Sequence, residues 1–233
     1  LKVKKIESDK ETHEMSPAVA TMQLFNKENA MILEINTENP QQRLIDQVVS
    51  ELRAGAVIAC PTGTGYGLSC DLFHARAIKK LMLLKKRPKY KPFSIICHDL
   101  SDIANFAHVS NTAYRLLKRN LPGPYTLVLP GTKLLPKIMV TKQKTVGIRV
   151  ADQPISAMLT ATLGNPLVNT SVQLTKEEDP LAEAWQIEEH LGNQITLVID
   201  GGTIYPEPSS VIDLTTDTPI IIREGKGDLT PFR

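Results

Sequence analysis

The residues best equipped for chemistry in this 233-residue chain are cations. From Leu83 to Cys97 it reads LLKKRPKYKPFSIIC, which gathers Lys85, Lys86, Arg87, Lys89 and Lys91 with no acid between them. The run reads either as a solvated basic turn or as a cradle for phosphate oxygens. The residue before a proline avoids the α region, so Pro88 takes Arg87 out of the preceding helix. Lys85 and Arg87 then project from a helix end into a loop. A compact ammonium beside a forked guanidinium is a suitable pair for neutralising a triphosphate.

Arg149 poses a different question, because its neighbours in VGIRV predict burial. A buried guanidinium needs a partner, and Asp152, another carboxylate or a ligand anion would serve. Arg223 in IIIREG asks the same at another strand end, with Glu224 as the simple structural answer. CPTGTGYGLSCD, Cys60 to Asp71, concentrates Thr62, Gly63, Thr64, Gly65 and Gly67 after an apolar run. It reads as a strand-to-helix turn whose N–H groups and hydroxyls face a ligand, or as a plain turn. Neither G-x-x-x-x-G-K-[ST] nor G-x-G-x-x-G is present, so no nucleotide fingerprint applies. NTSVQ (Asn169 to Gln173) and PSSVID (Pro208 to Asp213) place hydroxyls at the ends of apolar runs, where serine commonly caps a turn. Ser69 lacks the second glycine of a nucleophile elbow, and His74 and His98, near Cys70 and Cys97, have no second pair at ligand spacing.

Alternating elements must position these groups. Short apolar runs bounded by Pro, Gly or Asp predict strands at AVIAC, FSIIC, YTLVL, VGIRV, PLVNT, TLVID, SVIDL and PIIIR. Helical periodicity marks ARAIKKLMLL, NTAYRLLKRNL, PISAMLTATL and PLAEAWQIEEHL. Another helix runs to Gly55, with Asn39 as its cap and Leu44, Ile45, Val48, Val49 and Leu52 on one face. The interleaving predicts an α/β domain, and the consecutive late strands predict a mixed sheet. Residues 1–35 read as a flexible or docking arm and 36–233 as the domain.

The totals set limits. Hydrophobic residues at 42% and charged residues at 22%, with no apolar run of membrane-spanning length, indicate a soluble globular protein and exclude a membrane protein. A formal charge of +2 is too mild to indicate nucleic-acid binding by itself. Cys60, Cys70 and Cys97 read as reduced intracellular thiols. The chain begins at Leu1, which suggests trimming. A cytoplasmic location is expected, or a plastid or mitochondrion if a transit peptide preceded the arm.

Taken in order, CPTGTGYGLSCD, LKKRPKYKPFSI, LPGPYTLVLPG, TVGIRVADQP, PLVNTS, PSSVIDLT and IIREGKGD resemble the YrdC-like family, the threonylcarbamoyl-AMP synthases, and within it the YciO-type paralogues. The resemblance implies a YrdC-like (RibB-like) twisted mixed sheet with flanking helices around a basic cavity. It implies condensation of L-threonine, bicarbonate and ATP into threonylcarbamoyl-AMP for N6-threonylcarbamoyladenosine in tRNA. Mg²⁺ would accompany the ATP, with no permanent cofactor or metal. Lys85 and Arg87 match a K-x-R pair that contacts phosphates and would be catalytic. Thr126, Ser171 and Arg223 would join them at ATP, and Thr62, Arg149, Thr170, Ser209 and Ser210 would bind threonine. Gly63 stands where the synthases usually carry an acid, Ile96 where many carry a histidine, Ala151 for a proline, and Gln173 for an asparagine. These departures keep a second function open: a catalytically weak paralogue that binds nucleotide, tRNA or double-stranded RNA. The arm offers a place for a protein partner.

Overall fold

The computed structural model describes residues 30–86, 93–140, 142–174 and 180–233. Arg87, Lys89 and Lys91 of the basic run, and residues 1–29 of the expected arm, lie outside the described residues.

In chain order the elements are β1 (Met31–Glu34), α1 (Gln42–Ala54), β2 (Ile58–Pro61), β3 (Tyr66–Asp71), α2 (Ala75–Leu84), β4 (Ser94–Ile96), α3 (Leu100–Phe106), α4 (Asn111–Asn120), β5 (Tyr125–Pro130), β6 (Thr145–Arg149), α5 (Pro154–Leu163), β7 (Leu167–Ser171), α6 (Ala184–Leu191), β8 (Leu197–Asp200), β9 (Ser210–Asp213) and β10 (Ile220–Arg223). The strands form one open, twisted sheet in the order β1-β8-β2-β3-β7-β4-β6-β5-β9-β10. It is mixed, as the strand pattern predicts: β1–β8, β2–β8, β4–β6 and β5–β9 are parallel, and the other pairs are antiparallel.

Side chains alternate across a strand, so each strand feeds two faces. On the first face Ala59, Leu68, Ile95, Leu127, Ile148, Val168, Val198 and Ile212 pack beneath helices α2, α3, α4 and α6 in one large core. On the second, Ile58, Cys60, Ile96, Leu167, Leu197 and Ile199 meet the apolar stripes of α1 and α5. This second core contains no residue of β5, β6 or β9. The second face of those strands is therefore left clear of helix among the described residues, and there polar side chains can remain wet.

The structure departs from the sequence expectations at four places. CPTGTGYGLSCD is a hairpin rather than a strand-to-helix turn, because Tyr66 to Asp71, buried throughout, pairs antiparallel with β2. Its alternating Gly67 and Ser69 hide the strand pattern. Met31–Glu34, expected with the arm, belong to the sheet as β1, which pairs with β8. Helix α1 starts at Gln42 rather than at an Asn39 cap. The side chain of Asn36 accepts from the N–H groups of Glu38 (2.9 Å) and Asn39 (2.8 Å), which holds that segment in a turn. Gly55 ends α1 in the left-handed conformation (φ 96°). The short helix α3 has too few turns to show a period; Asp99 caps it by accepting from Asp102 N–H at 2.8 Å.

Candidate anion-binding site

The site begins with the four-residue turn joining β2 to β3. Gly63 (φ 77°) and Gly65 (φ 125°) take backbone conformations that a side chain would strain. The N–H and hydroxyl of Thr62 both donate to the Gly65 carbonyl, at 3.0 and 2.8 Å. The turn is thereby closed, with the Thr62 carbonyl and the Thr64 hydroxyl pointing toward the end of β6.

Arg149 meets them there. It lies on the second face, alternating with the core residues Val146, Ile148 and Val150, and is only 6% exposed. Its guanidinium donates to the Thr62 carbonyl at 3.1 Å, the Thr64 hydroxyl at 2.7 Å and Asn169 Oδ1 at 3.4 Å. Its Nε finds no partner. All three partners are neutral, and Asp152, one of the candidate partners, is exposed and does not bond to it. Burial, and then the charge of Arg223, lower the Arg149 pKa to about 10. Burial also pushes the nearby Cys60 thiol up to about 11, so no thiolate balances the charge at neutral pH. A buried cation with only dipoles around it is an incomplete pair, and an incoming anion would complete it.

Other groups continue across the same face. Asn169 also donates from Nδ2 to Ser69 Oγ at 2.9 Å, which fixes the direction of its amide. A Cβ on Gly67 would stand 2.3 Å from Asn169 Nδ2 and 2.8 Å from Thr62 Cγ2, so this glycine lets β3 lie beside the polar cluster. Gly147, paired with Ser94 and Val128, leaves room next to Thr126. The Thr126 and Ser209 hydroxyls bond at 2.8 Å. Arg223 donates to the Ser209 carbonyl from Nε at 3.1 Å and from Nη2 at 2.6 Å. Thr62, Thr126, Arg149 and Ser209 thus lie on the same face of the sheet, with Arg223 bonded to Ser209 and its charge near Arg149.

Other sequence candidates sit differently. Thr170 is paired with Leu68 and lies two residues from Val168 and Val172 on their side of the strand, so it points into the first-face core, away from Arg149. Ser210 also turns to that side: its hydroxyl donates to the Gly227 carbonyl at 2.7 Å and accepts from Gly225 N–H at 3.1 Å. Neither presents its hydroxyl to the site. Ser171 is exposed on the site face at the end of β7. Lys85, expected to project into a loop, is buried and donates to the carbonyls of Ser171, at 2.9 Å, and Gln173. It fastens the end of α2 to the end of β7. Ile96 belongs to the second-face core beneath α5, and Gly63 has a Cβ position 3.2 Å from the Asp152 carbonyl. Lys226 was not singled out in advance; its Nζ reaches the Gly63 carbonyl at 3.2 Å. Asn169 was also missed, although the alternation of PLVNTS puts it on the face of Ser171.

The arrangement can hold an anion. Among the described residues no group of three or more His, Cys, Asp or Glu side chains could hold a metal ion. No described helix is long and apolar enough to cross a membrane.

Comparison with known proteins agrees with the fold. Escherichia coli YciO, itself uncharacterized, is 41% identical over 199 residues, covering 85% of this chain and 97% of its own. Its crystal structure superposes with a TM-score of 0.83 at 40% identity, over 88% of this chain and all of that one. A threonylcarbamoyl-AMP synthase of Vibrio vulnificus is 31% identical over 186 residues, 78% of this chain and 98% of its own. The structure of P. abyssi Sua5 complexed with L-threonine matches at 29% identity with a TM-score of 0.78, over 84% of this chain and 58% of that one. The Sua5/YciO/YrdC family model, described as "Telomere recombination", matches residues 50–225, and the chain belongs to that family.

Proposed function

We propose that the protein is a threonylcarbamoyl-AMP synthase-like nucleotidyltransferase that uses ATP, L-threonine and bicarbonate. The observation that carries this reading is the buried, anion-free Arg149 beside Arg223 on a hydroxyl-lined, helix-free surface. The relatives named as synthases and the Sua5 complex with L-threonine support it.

The chemistry requires no covalent nucleophile. The threonine amine adds to bicarbonate and water leaves, giving a carbamate. A carbamate oxygen then attacks the α-phosphorus of ATP, and the bond to the β-phosphate oxygen breaks as pyrophosphate departs. The protein's part is to hold the anions together and to stabilise the leaving charge. Arg149 would bind the substrate carboxylate within the Thr62–Gly65 turn. Thr126, Ser209 and Arg223 would face the nucleotide, and Lys85 would anchor the end of β7 that presents Ser171. Arg87, two residues after Lys85 in the sequence and outside the described residues, would meet phosphate. Mg²⁺ would come as MgATP, and the product would serve tRNA modification in the cytoplasm.

The test is pyrophosphate release dependent on ATP, threonine and bicarbonate, with a large loss in Lys85→Ala. No release above background at high enzyme concentration refutes the reading. Ile96 in the core and the lack of a side chain at Gly63 favour a second reading, a weak paralogue that retains the surface for nucleotide or RNA. Tight, salt-sensitive binding of tRNA or double-stranded RNA without adenylate formation would establish it.

A further inference from the structure

The loop after β10 is built to hold one lysine in place. A Cβ on Gly225 would stand 2.1 Å from the Pro208 carbonyl oxygen, and one on Gly227 would stand 2.3 Å from the Tyr125 ring. Only glycine fits at either position. Between them, Lys226 N–H donates to the Pro208 carbonyl at 2.9 Å. The fully buried Ser210 hydroxyl ties down both glycines, through Gly225 N–H (3.1 Å) and the Gly227 carbonyl (2.7 Å). A backbone fixed at three consecutive residues sets the direction in which the Lys226 side chain leaves it, and its Nζ meets the Gly63 carbonyl at 3.2 Å.

Arg149 and Lys226 therefore grip adjacent carbonyls, Thr62 and Gly63, of the same turn. The guanidinium is at the buried floor and the ammonium at the exposed rim. Arg223, three residues before Lys226, adds its charge beside Arg149. Among the described residues none of the three cations bonds to a carboxylate. A single small carboxylate can be satisfied at the floor, whereas a chain of anionic groups extends to the rim. We infer that Lys226 is a polyphosphate-binding residue of this site, held at the rim of the Thr62–Gly65 turn by the Gly225–Gly227 loop, with Ser210 as its positioning residue.

This assignment rests on the proposed reading that the surface takes a nucleotide. Binding of inorganic tripolyphosphate, ATP, adenosine and L-threonine is measured by calorimetry at several salt concentrations. The proteins are wild type, Lys226→Ala, Lys226→Arg and the control Lys118→Ala, on the exposed side of α4. Losing one charge-assisted contact should weaken tripolyphosphate and ATP about tenfold in Lys226→Ala and flatten their salt dependence, with recovery in Lys226→Arg. Adenosine and threonine affinity should be unchanged. The inference is overturned if wild type does not bind tripolyphosphate, if Lys226→Ala binds it like wild type, or if threonine weakens equally. Wild-type protein that binds polyphosphate through Lys226 but makes no adenylate refutes the proposed function and leaves this assignment standing.

Discussion

Replacing Arg149 with methionine separates a structural arginine from a ligand-binding one. In the folded protein its pKa is held down to about 10 by burial and by Arg223. At about 1.4 kcal/mol per pH unit, the charged side chain costs on the order of 3 kcal/mol without a ligand. Its removal strands the Thr62 carbonyl and the buried Asn169 Oδ1, at a combined cost of about 2–4 kcal/mol, while the partly buried Thr64 hydroxyl can turn to water. The two effects oppose each other, so Arg149→Met should unfold in urea within about 2 kcal/mol of wild type. Its effect on anion binding should be much larger. Truncating one partner of a buried charge pair costs about 2–5 kcal/mol, which is about 30-fold or more in affinity. Calorimetric titration with L-threonine and with tripolyphosphate, beside the urea curves, reads both quantities. A variant destabilised by more than about 4 kcal/mol that still binds both ligands like wild type would refute the reasoning, because it would make Arg149 a structural brace.

Three further outcomes follow from the geometry. Gly67→Ala forces a methyl to 2.3 Å from Asn169 Nδ2, so ligand affinity should fall at least tenfold (about 1.4 kcal/mol) at a lowered melting temperature. Ser210→Ala frees the Gly225 N–H and the Gly227 carbonyl, and urea unfolding should show a loss of about 2–4 kcal/mol. Burial raises the Tyr66 phenol to about 12, and its hydroxyl donates to the Gly202 carbonyl at 2.7 Å while accepting from Gly201 N–H at 3.0 Å. A folded-state value above the unfolded one gives stability that is complete below about pH 10 and lost as pH rises toward 12. The stability of wild type relative to Tyr66→Phe, measured by urea unfolding, should therefore shrink across that window.

The sequence by itself determined the strand and helix inventory wherever local pattern is decisive. Apolar runs such as YTLVL and TLVID are too short and too evenly apolar for anything but sheet, and the stripe Ile45, Val48, Val49, Leu52 is a helix face. It also marked Arg149 as a buried cation in need of a partner. The structure alone decided which way side chains face. A strand alternates every residue, so Asn169 and Ser171 reach the site while Thr170 does not. Ser209 likewise faces the site, whereas Ser210 pins a loop on the other side. Neighbouring hydroxyls are indistinguishable in a linear motif until register assigns each to a face. Lys226 depended on tertiary structure most of all. Its partner lies 163 residues away, and only the tertiary fold brings the two glycine-containing turns together.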